Sequence, residues 1–219
     1  METAERRRGA LSREQIARAA LALVDREGID ALTMRRVAAE VGASPMGLYR
    51  HFRGKEELVE AIVEAASGEE SIDLSAEDWQ TQLRELGRAI HRILERHPAT
   101  VQLRLRRPIQ TPAALRVTEA GVQILRRAGF SRAEAARAFR TLFLYAFAYA
   151  AFNTPESPDE TRRETLAALH ALPPEEFPEL TSGAEEAADV MSGEEQFEFG
   201  LDLLITALEA RLAAAGRGP

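Results

Sequence analysis

The chain contains no cysteine, which excludes a disulfide framework, thiolate metal ligation and thiol chemistry. It has almost no lysine: Lys55 is the single one among 28 basic residues, and the others are arginine. Its longest apolar run, 142–152, falls short of the roughly 20 residues that span a bilayer. The first nine residues read as a charged tail and not as an apolar leader, so a cytoplasmic protein without membrane attachment is expected. Catalytic signatures are missing as well. There is no glycine-rich phosphate loop, no paired-histidine metal spacing and no nucleophile beside a base. The four histidines, His51, His91, His97 and His170, are scattered. No metal, no cofactor and no enzymatic activity are expected. Alternating strand patterns are absent too, and β-branched runs are few, which argues for an all-α fold.

What is present is alanine, leucine and helical spacing. Hydrophobic residues make up 45% of 219, enough for a small domain plus a larger one. The stretch 32–52 organises the rest. Thr33 is a good N-cap, and Met34, Val37, Ala38 and Val41 follow at helical spacing. Gly42 ends that helix, because glycine takes the left-handed conformation at little cost. Ser44 caps a second helix, and Pro45 at its first position gives up an N–H that had no partner. Leu48 and Phe52, four apart, turn inward, while Met46, Gly47, Tyr49, Arg50 and His51 point out. This is a helix-turn-helix pattern, whose second helix lies in the DNA major groove.

The outward set suits that task. Ser44 and the free N–H groups at the helix start can take a phosphate, as can Tyr49 and His51. Arg35 can reach a phosphate or a guanine edge, and Gly47 would allow close approach to the bases. Arg36 and Arg50 join the candidate set. The plainer alternative is a helical hairpin inside an all-α protein. Charge distribution favours DNA: residues 1–55 carry 11 basic and 7 acidic side chains, the remainder 17 and 28. The net charge of −7 therefore hides a basic head on an acidic body.

Residues 33–55, with the helix before them, resemble the DNA-binding domain of the TetR family of bacterial transcriptional repressors. The run 42–58 carries the family's signature, including its Leu-Tyr-x-His-Phe core at 48–52 and the later Lys55. The resemblance implies that Lys55 holds a phosphate at the start of a fourth helix. It also implies that this helix connects two domains, that the second domain binds an effector, and that two copies pair through a four-helix interface. The expected division is 1–66, the DNA-binding domain, and 67–219, the effector-binding and dimerisation domain.

Along the chain, Ser12 with Gln15 is a capping box opening helix 12–27, and Arg6, Arg7 and Arg8 before it read as a solvated tail or a phosphate-touching arm. Further capping boxes are expected at Ser75 with Asp78, Ser131 with Glu134 and Ser192 with Glu195. Helices are expected from 55 to 67, 75 to 97, 99 to 106, 112 to 128, 131 to 153, 159 to 170 and 192 to 214, about nine to ten in all. The proline-rich, acidic stretch 173–183 is expected to be a loop, and the acids from 175 to 198 a solvated surface.

The helix at 139–152 shows two apolar stripes: Phe139, Phe143 and Phe147 on one side, and Leu142, Tyr145, Tyr149 and Phe152 on the other. A helix apolar on two sides must be covered twice. One stripe is expected to face the interior and the other a second copy, joined there by Phe197, Leu201, Leu204, Leu208 and Leu212, with Leu203 and Ile205 extending the apolar surface of the last helix. The expected dimer surface is thus Leu142, Phe152, Phe197, Leu201, Leu204 and Leu208. The alternative is that both helices are central in one chain's core. An apolar effector pocket is expected at Trp79, Leu86, Ile90, His91, Phe143, Tyr145, Phe147, Tyr149 and Asn153. Together these give a homodimeric repressor that binds a palindromic operator in double-stranded DNA and is released by a small, largely apolar ligand. The competing expectation is a helical carrier or signalling scaffold whose helix-turn-helix is structural.

Overall fold

The computed structural model describes residues 11–70, 72, 74–152, 158–192 and 195–215. Among these residues the chain is helical throughout, with twelve α-helices, one 3₁₀ turn and no strand. It divides into two compact units: Met1–Ser71 with Arg96–Ala120, and Ile72–Glu95 with Gly121–Pro219.

The first unit is built from α1 (Arg13–Glu27), the 3₁₀ turn Ile29–Ala31, α2 (Met34–Glu40), α3 (Pro45–Tyr49), α4 (Lys55–Ser67), α6 (Pro98–Arg106) and the start of α7 (Pro112–Arg127). The Ser12 hydroxyl accepts the Gln15 N–H at 3.1 Å and the Gln15 side chain returns the bond, so the first capping box forms as expected. Gly42 sits at φ 65, the left-handed value the helix stop requires. Ile16, Leu23, Leu32, Leu48, Phe52, Leu58 and Ile62 fuse into one buried core, joined by Ala99, Leu103 and Ile109. Removing each large side chain from water is worth about 1.5–3 kcal/mol.

The second unit holds most of α5 (Trp79–Arg96), the rest of α7, α8 (Arg132–Phe152), α9 (Pro158–His170), α10 (Pro178–Ser182), α11 (Ala184–Ser192) and α12 (Glu195–Ala215). Its helices cross at close range. A Cβ on Gly121 would lie 2.1 Å from the Phe139 ring, and one on Gly87 would lie 3.0 Å from Leu201. Ser131 and Glu134 cap α8 as expected, each backbone N–H bonded to the other's side chain at 3.3 Å.

Three expectations need correction. The helix count is twelve, because 173–192 folds: α10 starts on Pro178, a residue that fits the first turn, and α11 follows after Gly183. Arg162 on α9 then binds both Asp189 and Glu185 of α11, at 2.5 and 2.7 Å. Second, α5 starts at Trp79; Asp78 is the cap, its carboxylate accepting the Thr81 N–H at 2.7 Å. Third, the inward line of α8 is Ala135, Phe139, Leu142, Ala146 and Ala150. It takes Phe139 from one expected stripe and Leu142 from the other; Phe143 and Phe147 on one side and Tyr145 and Tyr149 on the other are its half-buried flanks, and Phe152 is exposed. The proposed capping box at Ser192 and the arm at Arg6, Arg7 and Arg8 lie outside the residues whose side chains are described.

Candidate functional site

The second helix of the helix-turn-helix, α3, is only five residues long, and helices so short are unstable alone. Its surroundings hold it. At its start the Ser44 hydroxyl accepts the Gly47 N–H at 3.1 Å, with Pro45 at the first position. Leu48 and Phe52, 0% and 1% exposed, anchor it to the core. Outward face Met46, 75% exposed, Tyr49, 50% exposed, and Arg50; His51 is half-buried. A Cβ on Gly47 would meet only ordinary contacts, at 3.5 Å or more, so packing within the chain does not demand glycine there.

Thr33 caps α2 by accepting the Arg36 N–H at 3.1 Å, and Arg35 is exposed beside it. Lys55, also exposed, is the first residue of α4. Arg36 departs from the expected set. Its guanidinium contacts Glu27 at 2.6 Å and Glu40 at 3.2 Å, and Arg26 joins the same carboxylates. The Arg36 hydrogen bond leads in holding the Glu27 carboxyl below its ordinary range. Arg36 is therefore occupied in tying α2 to the end of α1, because the turn after Gly28 brings Glu27 against it.

Sequence reasoning missed Arg13 and Glu57. One Arg13 nitrogen donates to the His51 carbonyl at 2.7 Å and to Glu57 Oε1 at 2.6 Å. Glu57 Oε2 accepts the Arg53 N–H at 2.7 Å, the main reason its carboxyl lies below the usual range, with Arg13 next. The chain leaving α3 is thus gripped from α1 and α4. No local signal marks this contact, since Arg13 and His51 stand 38 positions apart.

In the second unit, three of the expected pocket residues meet around Phe197. His91 stacks on its ring at 4.1 Å, Tyr145 stacks at 5.5 Å, and Tyr149 stands edge-on at 5.4 Å. The Tyr145 hydroxyl lies 2.9 and 3.0 Å from the carbonyls of Gln196 and Phe197, and burial pushes its pKa up to about 12. Phe143 and Phe147 stack on each other at 6.0 Å along α8. Leu86 and Ile90, 0% and 4% exposed, are core. Trp79 packs edge-on against Phe130, twelve residues and about 18 Å along α5 from His91. Asn153 lies outside the described residues.

The expected dimer set also divides. Leu142, Phe197 and Leu201 are 2%, 3% and 0% exposed inside this unit, as is Ile205 at 2%, so they offer no surface to another copy. Leu201 and Leu142 seat against Gly87, where a missing side chain lets α12 and α8 close up on α5. Leu204 and Leu208 are half-buried and border a groove of about 350 Å³ between α8 and α12. Phe152, 88% exposed, Leu144, Phe199 and Leu203 are the outward apolar residues of these two helices. Among the described residues no His, Asp and Glu cluster could hold a metal, and no helix is long and apolar enough to cross a membrane.

Comparison with known proteins places this geometry. Residues 16–62 match the family described as bacterial regulatory proteins, tetR family, and residues 73–212 match the tetracyclin repressor-like C-terminal domain. The tetracycline repressor protein class D of Escherichia coli is 30% identical over 210 residues, covering 93% of this chain and 92% of that protein. The HTH-type transcriptional repressor DrrR1 of Streptomyces coeruleorubidus is 33% identical over 126 residues; the match spans 57% of this chain and 47% of DrrR1. Among solved structures, the TetR family protein ActR of Streptomyces coelicolor in complex with (S)-DNPA superposes with a TM-score of 0.81 at 26% identity, covering 92% of this chain and 98% of ActR. BioQ with its double-stranded DNA operator gives 0.65 at 26% identity, covering 91% and 99%. A capped, core-anchored reading helix in a basic segment, followed by a helical body matching over its length, makes this chain a DNA-binding regulator that belongs to the TetR family.

Proposed function

We propose that the protein is a repressor that binds a palindromic operator as a homodimer and lets go when a small, largely apolar ligand enters the second unit. The observation that carries this reading is the split on α3: Leu48 and Phe52 buried, Met46, Tyr49 and Arg50 displayed. Met46, in the first turn of this capped helix, is 75% exposed, so burial in its own core does not account for it. Thr33, Ser44 and Pro45 set the helix starts; Tyr49, His51 and Lys55 contact phosphates; Arg35, Met46 and Gly47 face the base edges. Gly47 supports this assignment, because no packing inside the chain requires it.

Two heads related by a twofold axis read half-sites about one helical turn apart. The exposed apolar residues of α8 and α12, Leu144, Phe152, Phe199 and Leu203, support a second copy packed on these helices, and the half-buried Leu204 and Leu208 line the groove between them. The cluster of His91, Tyr145 and Tyr149 supports the effector reading by supplying aromatic walls of the kind an apolar ligand takes. The names of relatives agree with both arms, since ActR is described in complex with actinorhodin and BioQ with DNA. The protein would then act in the cytoplasm, on DNA.

The test is a titration of the full chain against the DNA immediately upstream of its own gene, followed by fluorescence anisotropy at fixed salt. Specific binding that disappears in Tyr49→Ala, while helix content is kept, supports the proposal. Equal affinity for that fragment and for random DNA, in the wild type, overturns it.

A further inference from the structure

His97 occupies the N-cap position of α6 and is 8% exposed. Its two ring nitrogens face two different carboxylates. Nδ1 is 2.6 Å from Asp25 Oδ2, near the end of α1, and Nε2 is 2.9 Å from Glu69 Oε2, just beyond α4. An ionised carboxylate only accepts hydrogen bonds, and a neutral imidazole has a single N–H. Both contacts are hydrogen bonds only if the ring carries two protons and a positive charge. With one proton, a lone pair would face a carboxylate oxygen at under 3 Å.

The surroundings favour the charged form. Asp25 contributes most to raising the His97 pKa above its ordinary value and Glu69 adds to it, against the opposing effect of burial. Arg96, the last residue of α5, lies 3.7 Å from Glu69 and 2.9 Å from Glu70, so a permanent positive charge stands beside the carboxylate that faces Nε2. Asp25 Oδ1 is buried without a hydrogen-bond partner, so His97 is the contact that compensates this carboxylate. Among the described residues the charged groups facing this cluster are Asp25 from α1, Glu69 and Glu70 from the segment after α4, and Arg96 from α5.

We infer that His97 is a proton-dependent pin, which as an imidazolium ties the end of α1 and the residue beyond α4 to the start of α6, and frees one of them when its proton leaves. Since α1 and α4 grip the chain at the end of α3 through Arg13 and Glu57, loosening them changes how the reading helix is presented. That last consequence rests on the proposed function; the pin itself does not. The folded ring holds its proton more tightly than a free imidazole. Its stabilisation is therefore complete below about pH 6.5, and is lost as pH rises through the higher folded value.

The experiment uses the full chain with ¹⁵N-labelled histidine, followed by ring nitrogen–proton correlation spectra between pH 5.5 and 9, His97 being assigned from His97→Gln. The expected result is an imidazolium at pH 7, with a midpoint that Glu69→Gln moves down. A neutral tautomer at pH 7, or a midpoint unmoved by Glu69→Gln, overturns the pin. Thermal melts give a second readout: the Tm of the wild type falls relative to His97→Gln as pH rises from 6 to 9, and parallel curves count against the proposal. Should His97→Gln not fold, Glu69→Gln replaces it in the melts, and assignment uses Asp25→Asn. On the upstream DNA fragment, wild-type affinity is expected to drop several-fold over this range while that of His97→Gln stays flat. An equal drop in both overturns the link to DNA, whereas no binding at any pH overturns the proposed function and leaves the spectra to decide the pin.

Discussion

The guanidinium of Arg13 stands 4.4 Å from the centre of the Phe52 ring, stacked over the residue that anchors the end of the helix-turn-helix. The same group bonds the His51 carbonyl and Glu57. A single side chain of α1 therefore fixes the far end of α3, as Ser44 fixes the near end. Arg13→Ala is expected to remove roughly 1 kcal/mol of positioning, about fivefold in operator affinity. The loss should fall on the specific fragment more than on random DNA, since Arg13 itself is placed to orient and not to read. Anisotropy titrations against both DNAs measure this. An equal loss on both would mark Arg13 as an ordinary phosphate contact.

Lys55 and Arg36 should behave oppositely, although both were candidates on sequence grounds. Lys55→Ala is expected to weaken binding to all sequences and to reduce the slope of log affinity against log salt by about one. Arg36→Ala should leave that slope nearly unchanged, because its charge is already engaged by Glu27 and Glu40. It should instead lower the melting temperature modestly. Salt titrations of the two variants separate these outcomes.

The close approach at Gly121 gives a stability prediction. A methyl there would overlap the Phe139 ring, so Gly121→Ala should cost about 1–3 kcal/mol, seen as a lower denaturation midpoint. Gly121→Ala combined with Phe139→Leu should recover part of the loss, since the smaller side chain frees the space. If the double variant is as unstable as the sum of the singles, the crossing is not the cause.

Leu203→Glu and Phe199→Glu place charge on apolar residues of α12 that are 57% and 59% exposed in the single chain. Each is expected to leave the fold intact, and together they should shift the protein to monomer, read by light scattering at micromolar concentration. Operator affinity should fall with the loss of the second head. A dimer that persists in the double variant would place the interface elsewhere.

Much of the first unit was legible because its signals are local. Ser12 with Gln15, Thr33, Gly42, Ser44 and Pro45 act over three or four residues, and a cap or a left-handed glycine declares itself in the sequence around it. Burial of Leu48 and Phe52 followed from their spacing alone. What escaped are contacts made across the fold: Arg36 on Glu27, Arg13 on His51, and His97 between Asp25 and Glu69. Periodicity also gave the apolar residues of α8 without saying which were innermost. Its buried line takes one residue from each stripe, Phe139 and Leu142, and the small residues Ala135, Ala146 and Ala150 fill the rest of it. Composition misled at 173–183, where three prolines suggested a loop although one of them, Pro178, starts a helix.

The solitary lysine at the first turn of α4 has a practical outcome. Besides the chain's α-amino group, Lys55 is the only primary amine in the protein, and it is exposed. An amine-reactive dye or a mild acylating reagent would therefore mark one side chain, at the edge of the reading head. Shielding of that amine by added duplex would report occupancy directly, without any engineered tag.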